Sequence, residues 1–221
     1  MQVEWYGQSA FRLATPEATV FIDPHGPMEG LPEGMRFDYP TITGIAPDLL
    51  IVTHEHADHN RVDVIDGEPV TVRSVAGRHE SPVGDVIAIA SEHDDVAGTE
   101  RGPNLIIVFT LGGIRVAHFG DFGQSELRDR QAAAIGKVDL AIVPAGGGPT
   151  IGGTQGYEIA SAIGARWVVP MHYNTPRISF LEPLDAFLAA APNVHQLDTP
   201  VFDTDSLPAT DGLLAVVPAT P

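Results

Sequence analysis

Residues 49–59 read Leu49-Leu50-Ile51-Val52-Thr53-His54-Glu55-His56-Ala57-Asp58-His59. The four apolar residues show no alternation, as expected of a strand buried on both faces. His54, His56, Asp58 and His59 then fall within six residues, where the backbone leaves that strand. Such a concentration of imidazole and carboxylate suits a metal centre, and these ligands suit zinc, manganese or iron. In a tight turn His54 and His56 can face one ion, while Asp58 and His59 face a second about 3.5–4 Å away. A solvated, histidine-rich loop is the other reading, and the preceding buried strand argues against it.

Strand-like segments surround this stretch. Residues 2–6 alternate polar and apolar, and Val20-Phe21-Ile22 stops at Asp23-Pro24. Residues 24–47 are rich in Pro and Gly and read as a long surface excursion, a length often tied to function. Strands are expected at 70–75, 86–90, 105–110 and 114–118, the last two joined by a Gly112-Gly113 hairpin turn. A helix over 125–135, with Ser125 as N-cap, precedes a buried strand at 140–144 that ends at Gly146-Gly147-Gly148. A helix over 155–163 follows, then a strand at Trp167-Val168-Val169 leading to Pro170-Met171-His172. Pro183 suits the first turn of a helix that places Leu184, Phe187, Leu188 and Ala191 on one face. Short strands near 194–197 and 213–217 close the chain.

The 221 residues, 43% of them hydrophobic, suffice for one substantial core and read as a single domain over 1–221. There is no cysteine, so disulfides and thiolate ligands are excluded and any metal must be held by nitrogen and oxygen. The net charge of −17, with 29 acidic against 12 basic residues, disfavours a phosphate-backbone partner. No apolar run is long enough for a bilayer span, so no membrane partner is expected. Met1 runs into an alternating strand without a basic segment and apolar run, and a cytoplasmic location is expected.

The pattern His54-x-His56-x-Asp58-His59 resembles the signature of the metallo-β-lactamase superfamily. Weaker motifs follow in matching order: Gly7-Gln8-Ser9, Ile22-Asp23-Pro24, His93-Asp94-Asp95, Arg101-Gly102-Pro103-Asn104, His118-Phe119-Gly120-Asp121 and Pro170-Met171-His172-Tyr173. Together they cover nearly the whole chain and look most like the small ascorbate-phosphate-lactonase-like group. The resemblance implies an α/β fold: a four-layer αβ/βα sandwich, two mixed sheets face to face with helices outside.

It also implies three further ligands. His93 would complete a first site with His54 and His56, His172 a second with Asp58 and His59, and Asp121 would bridge the two. The group commonly carries His where this chain has Gln8, so no role is carried over to that position. Two divalent ions are implied, zinc first and manganese or iron as alternatives. A hydroxide shared between them would attack a small ester, lactone or phosphoester, with Asp58 orienting it and passing on its proton. Other readings are a mononuclear iron redox enzyme resembling the sulfur dioxygenases of this fold, and a non-catalytic metal-binding scaffold. The partner is a small-molecule substrate; homo-oligomers are common in such a family, and no interface is marked.

Among the remaining residues, His118 reads as orienting a ligand or as a hydrogen-bonded core histidine, the former favoured, and Asp23 either accepts from a ligand N–H or forms an Asx turn. His25 lies in the long loop, within reach of the pocket mouth but expected at the surface, as are His79 and His195. Tyr173 and Asn174 are expected to face substrate. The glycines at 146–148 read as a turn whose N–H groups could bind an anion. Arg101 reads as either an anion binder or half of a structural pair.

Overall fold

A computed structural model describes all residues, 1–221. Two mixed sheets form the body. The first contains β1 (Gln2–Gly7), β2 (Ala10–Ala14), β3 (Thr19–Ile22), β4 (Leu49–Val52), β5 (Val70–Arg73) and β13 (Val201–Asp203), in the order β13-β1-β2-β3-β4-β5. The second contains β6 (Gly77–Ser81), β7 (Gly84–Glu92), β8 (Pro103–Leu111), β9 (Ile114–His118), β10 (Leu140–Pro144), β11 (Trp167–Met171), β12 (Val194–Gln196) and β14 (Leu214–Val217). Its order is β12-β14-β11-β10-β9-β8-β7-β6.

The first sheet shows how a period of two builds the sandwich. Val3, Trp5, Phe11, Leu13, Val20, Ile22, Leu49 and Ile51 point into the main core between the sheets. Their neighbours Ala10, Phe21 and Leu50 point the other way, under Ile42 and half-buried Ile45, Val62, Val64 and Ile65. Residues 49–52 are therefore apolar throughout because both faces are covered, as the sequence implies. Each fully buried side chain of this size contributes about 1.5–3 kcal/mol.

Helices α1 (Asp129–Ile135), α2 (Gly153–Ala162) and α3 (Asp185–Ala190) lie on the outer side of the second sheet, α1 against β7 and α2 against β10 and β11. The αβ/βα sandwich is present with one difference in its layers. The outer face of the first sheet is covered by the long 24–47 segment and a single 3-10 turn at Val62–Val64 rather than by an α-helix. The 24–47 segment carries only scattered apolar residues, enough to cap a sheet without helical repetition. Helix α1 also starts later than expected, at Asp129, so Ser125 is not its N-cap. Side-chain amides occupy the local carbonyls instead: Gln155 donates to the carbonyls of Gln124 and Ser125, and Gln124 to that of Glu126. No helix is long and apolar enough to cross a membrane.

Strands β9, β10 and β11 run parallel, and β7 shares their direction because two antiparallel pairings separate it from β9. Strands β3, β4 and β5 are parallel in the other sheet. The carboxyl ends of these strands, where open α/β sheets collect functional side chains, carry the expected ligands.

Candidate metal centre

Each expected ligand sits just past a strand end. His54–His59 follow β4, His93 follows β7, Asp121 follows β9, and His172 follows β11. The structure gathers all seven into two groups: His54, His56 and His93, and Asp58, His59, Asp121 and His172. Within each group the ligand atoms lie within 4.8 Å of one another.

Hydrogen bonds decide which ring nitrogen faces inward. Asp23 is fully buried; it accepts from Thr53 N at 2.8 Å and from Thr53 Oγ1 at 2.7 Å. Having donated its proton, Thr53 Oγ1 accepts from His54 Nδ1 at 3.0 Å, which leaves a lone pair on His54 Nε2. His59 Nδ1 donates to Asp23 Oδ2 at 2.9 Å, and His93 Nδ1 donates to the Pro149 carbonyl at 2.9 Å. Three of the rings thus have their outer nitrogen fixed and their inner nitrogen free, the arrangement that orients imidazole ligands.

The inner atoms then crowd together as donors around a cation would. His54 Nε2 lies 3.1 Å from His56 Nδ1. Asp121 Oδ2 lies 3.1 Å from His93 Nε2, 3.1 Å from His172 Nε2, 3.2 Å from His59 Nε2 and 3.9 Å from His54 Nε2. His59 Nε2 is buried without a hydrogen-bond partner. Burial pushes His59 down, yet Asp121, Asp58 and Asp23 together hold it well above its ordinary value. The orphaned His59 Nε2 and the three imidazole nitrogens gathered around Asp121 Oδ2 form a donor set that fits the ions the resemblance implies. Burial likewise pushes Asp121 up, but His172 and His59 hold its carboxyl well below the usual range. Asp58 follows the same pattern: its neighbour His59 outweighs burial, and the net shift is downward. His54 and His56 are pushed down by burial and by neighbouring imidazoles, which keeps them neutral and able to ligate.

The supports are built into the backbone. Asp121 N donates to Asn104 Oδ1 at 3.0 Å, and Ser9 Oγ donates to Asp121 Oδ1 at 3.3 Å. Gly120 has φ +53°, and a Cβ there would collide with Asn104 Oδ1 and Thr53 Oγ1. Gln8, Asp23 and His172 also adopt positive φ, 49°, 50° and 53°, although none is glycine. Strained backbone of this kind persists where surrounding contacts over-determine it.

His56 is exposed and marks the solvent side of the centre. A cleft of about 150 Å³ lies beside His54 and His56 and is also lined by Ser74, Arg101 and Asn104. Arg101 borders a second, polar cavity of about 420 Å³ as well, with Asp94, Gln124 and Thr150. Its guanidinium is exposed and forms no ion pair, so the structural pairing considered for it is absent. The loop that carries it is held by Asp94, whose carboxylate accepts from the backbone N–H groups of Val96, Gly98, Glu100 and Arg101 at 2.6–3.0 Å.

Several expectations need correction. His25 is buried, not at the surface: its Nε2 donates to the Tyr6 carbonyl at 3.0 Å and its ring packs on Phe37 and Tyr39. Tyr173 is buried and stacks on Trp5 at 5.5 Å, so it belongs to the core rather than to a substrate wall. Asp23 accepts from Nδ1–H of His59, one of the expected ligands, as the first of its two readings has it. His118 touches no ligand side chain; its Nε2 donates to the Ser9 carbonyl and its Nδ1 accepts from Gly120 N, bracketing Asp121 through the backbone. His79 and His195 are half-buried and lie away from the centre. Thr53, Ser9, Asn104, Asp94 and Pro149 carry supporting roles that the sequence reading did not assign. Four of them lie inside or next to the recognised motifs.

Residues 2–172 match the model of the Beta-lactamase superfamily domain. A UPF0173 metal-dependent hydrolase of Methanoregula boonei is 31% identical over 201 residues, spanning 79% of this chain and 83% of that protein. A UPF0173 protein of Pyrococcus abyssi is 29% identical over 197 residues, spanning 79% and 84%. In fold, the chain is similar to a candidate Zn-dependent hydrolase of the metallo-beta-lactamase superfamily from Thermotoga maritima, with a TM-score of 0.76, 24% identity and 99% of both chains covered. The seven-residue donor set, its supporting hydrogen bonds and these matches lead to one assignment: the chain belongs to the metallo-β-lactamase superfamily, among the UPF0173 metal-dependent hydrolases.

Proposed function

We propose that the chain holds two divalent ions, zinc in the first place, and hydrolyses a small ester, lactone or phosphoester. The observation that carries this reading is the position of Asp121 Oδ2, within 3.2 Å of His59, His93 and His172 and thus shared by both groups of donors. An all-nitrogen-and-oxygen set suits zinc and leaves room for water or substrate. Divalent ions, when bound, act as Lewis acids that acidify water toward neutrality and offset negative charge growing on a substrate oxygen.

The chain's own residues supply the rest. Asp58, half-buried and held ionised beside His59, is placed to accept a proton from the attacking water and return it to the leaving group. His54, His59 and His93 keep fixed ring orientations through Thr53, Asp23 and Pro149, so little reorganisation accompanies the reaction. Arg101, unpaired beside the His54–His56 cleft, favours a substrate that carries an anionic group. The cavities suit a small molecule, and the net charge of −17 opposes a nucleic-acid substrate. A cytoplasmic location accords with this reading.

The test is a panel of lactones, carboxylic esters and phosphodiesters offered to zinc-reconstituted protein. Hydrolysis of at least one class, abolished by chelation and restored by zinc, is expected. Zinc-loaded protein that turns over none of them would remove support for this substrate range.

A further inference from the structure

Three of the four most buried ligand rings have an acceptor for their outer nitrogen, and His172 does not: its Nδ1 is buried without a partner. Of the other buried atoms of this region without a partner, His59 Nε2 is an inner nitrogen facing Asp121, whereas Gln8 Oε1 belongs to the segment whose backbone bonds His172. His172 Nδ1 is a donor without an acceptor, and Gln8 Oε1 an acceptor without a donor.

Gln8 is fully buried and already engaged at its other end. Its Nε2 donates to Asp58 Oδ2 at 2.9 Å. This fixes the orientation of the amide, because a carboxylate can only accept, and so Oε1 must be the free end. The backbones of the two residues are joined: His172 N donates to the Gln8 carbonyl at 3.3 Å, and Trp5 Nε1 donates to the same oxygen at 3.0 Å. Both residues hold positive φ, which pins where their side chains begin. Stranding a buried polar atom costs about 1–3 kcal/mol, so two stranded atoms of opposite type on bonded segments form an unstable pair of vacancies.

We propose that Gln8 is a positioning residue that ties two ligands of one ion together, donating to Asp58 through Nε2 and accepting from His172 Nδ1–H through Oε1. This inference rests on the two-ion reading of the site. The Nδ1 proton would hold His172 in the tautomer that leaves Nε2 free, as Asp23 does for His59. A glutamine does this with a neutral amide that donates at one end and accepts at the other.

A crystal structure of the zinc-loaded protein tests the contact directly. The expected result is two ions per chain, with Gln8 Oε1 at about 2.7–3.2 Å from His172 Nδ1. Two ions with these atoms more than about 4 Å apart would overturn the proposal while leaving the two-ion reading intact. No ion at all would overturn both. Gln8→Leu gives a second readout: about 10–100-fold weaker retention of one ion under chelator competition, the other unaffected. Nitrogen-15 spectra of the histidine rings should show the His172 Nδ1–H signal in the zinc-loaded wild type and its loss or large shift in Gln8→Leu. The glutamate variant, Gln8→Glu, keeps the acceptor and should retain that signal. Equal ion retention and unchanged spectra in Gln8→Leu would overturn the assignment.

Discussion

Asp23 Oδ2 stands 2.9 Å from His59 Nδ1, across 36 positions of sequence, while the same carboxylate holds both polar groups of Thr53. One buried acid therefore sets the tautomers of two ligands, His59 directly and His54 through Thr53. Asp23→Ala should strand these donors at about 1–3 kcal/mol each and weaken metal retention about 10–100-fold. Denaturant melts and chelator competition measure the two effects separately. Retention equal to wild type would show that Asp23 supports only the fold.

His56 and Asp121 should fail differently. His56 is exposed and belongs to one donor group, so His56→Ala should lose one ion per chain and most activity while the other ion stays. Asp121 Oδ2 is shared, so Asp121→Ala should disturb both ions. Metal content of the two purified variants decides. Loss of a single ion from Asp121→Ala would make Asp121 a terminal ligand.

Arg101 and Asp94 form a pair of another kind: Arg101 lines the cleft beside His54 and His56, and Asp94 holds the loop that carries it. Arg101→Ala should raise KM for an anionic substrate about tenfold, on the scale of one charge-assisted hydrogen bond, with metal content unchanged. Asp94→Ala should produce a similar KM defect by releasing the four N–H groups that shape the loop. A KM for the anionic substrate that stays at the wild-type value, or that rises no more than the KM for a neutral analogue, would refute a role in recognition.

Acid should unfold the metal-free protein from the histidine side. Burial pushes His25 and His118 below their ordinary value, so the unfolded chain takes up protons near pH 6.5 that the folded chain refuses. Stability then falls as pH drops below about 6.5, by about 1.4 kcal/mol per pH unit for each such histidine, until the folded value is reached. His59 is shifted the other way; its contribution is fully present below its unfolded value and is lost only as pH rises through the raised one. Urea midpoints of chelator-treated protein at about pH 7 and pH 5.5 give the check. A flat profile would mean that these two imidazoles are protonated in the fold.

Much of the candidate centre was legible because four of its expected ligands fall within six residues, directly after a strand marked by an unbroken apolar run. His93, Asp121 and His172 are isolated in sequence, and only the motif order singled them out. The supports stayed hidden for a physical reason: the acceptors of His59 and His93 lie 36 and 56 positions away, and no local pattern reports a hydrogen bond across that distance. His25 was misplaced because a polar residue in a proline-rich loop reads as exposed, whereas Phe37 and Tyr39 fold over it. The start of α1 was misjudged because the amides of Gln124 and Gln155 compete for carbonyls that a helix would otherwise use.

Elemental mass spectrometry of the purified protein, expressed as moles of metal per chain, bears most directly on what the chain does. About two zinc ions per chain, or two manganese ions, is the predicted result. A single iron would contradict the two-ion hydrolase and favour redox chemistry, and no metal after reconstitution with zinc, manganese and iron would contradict the metal centre itself.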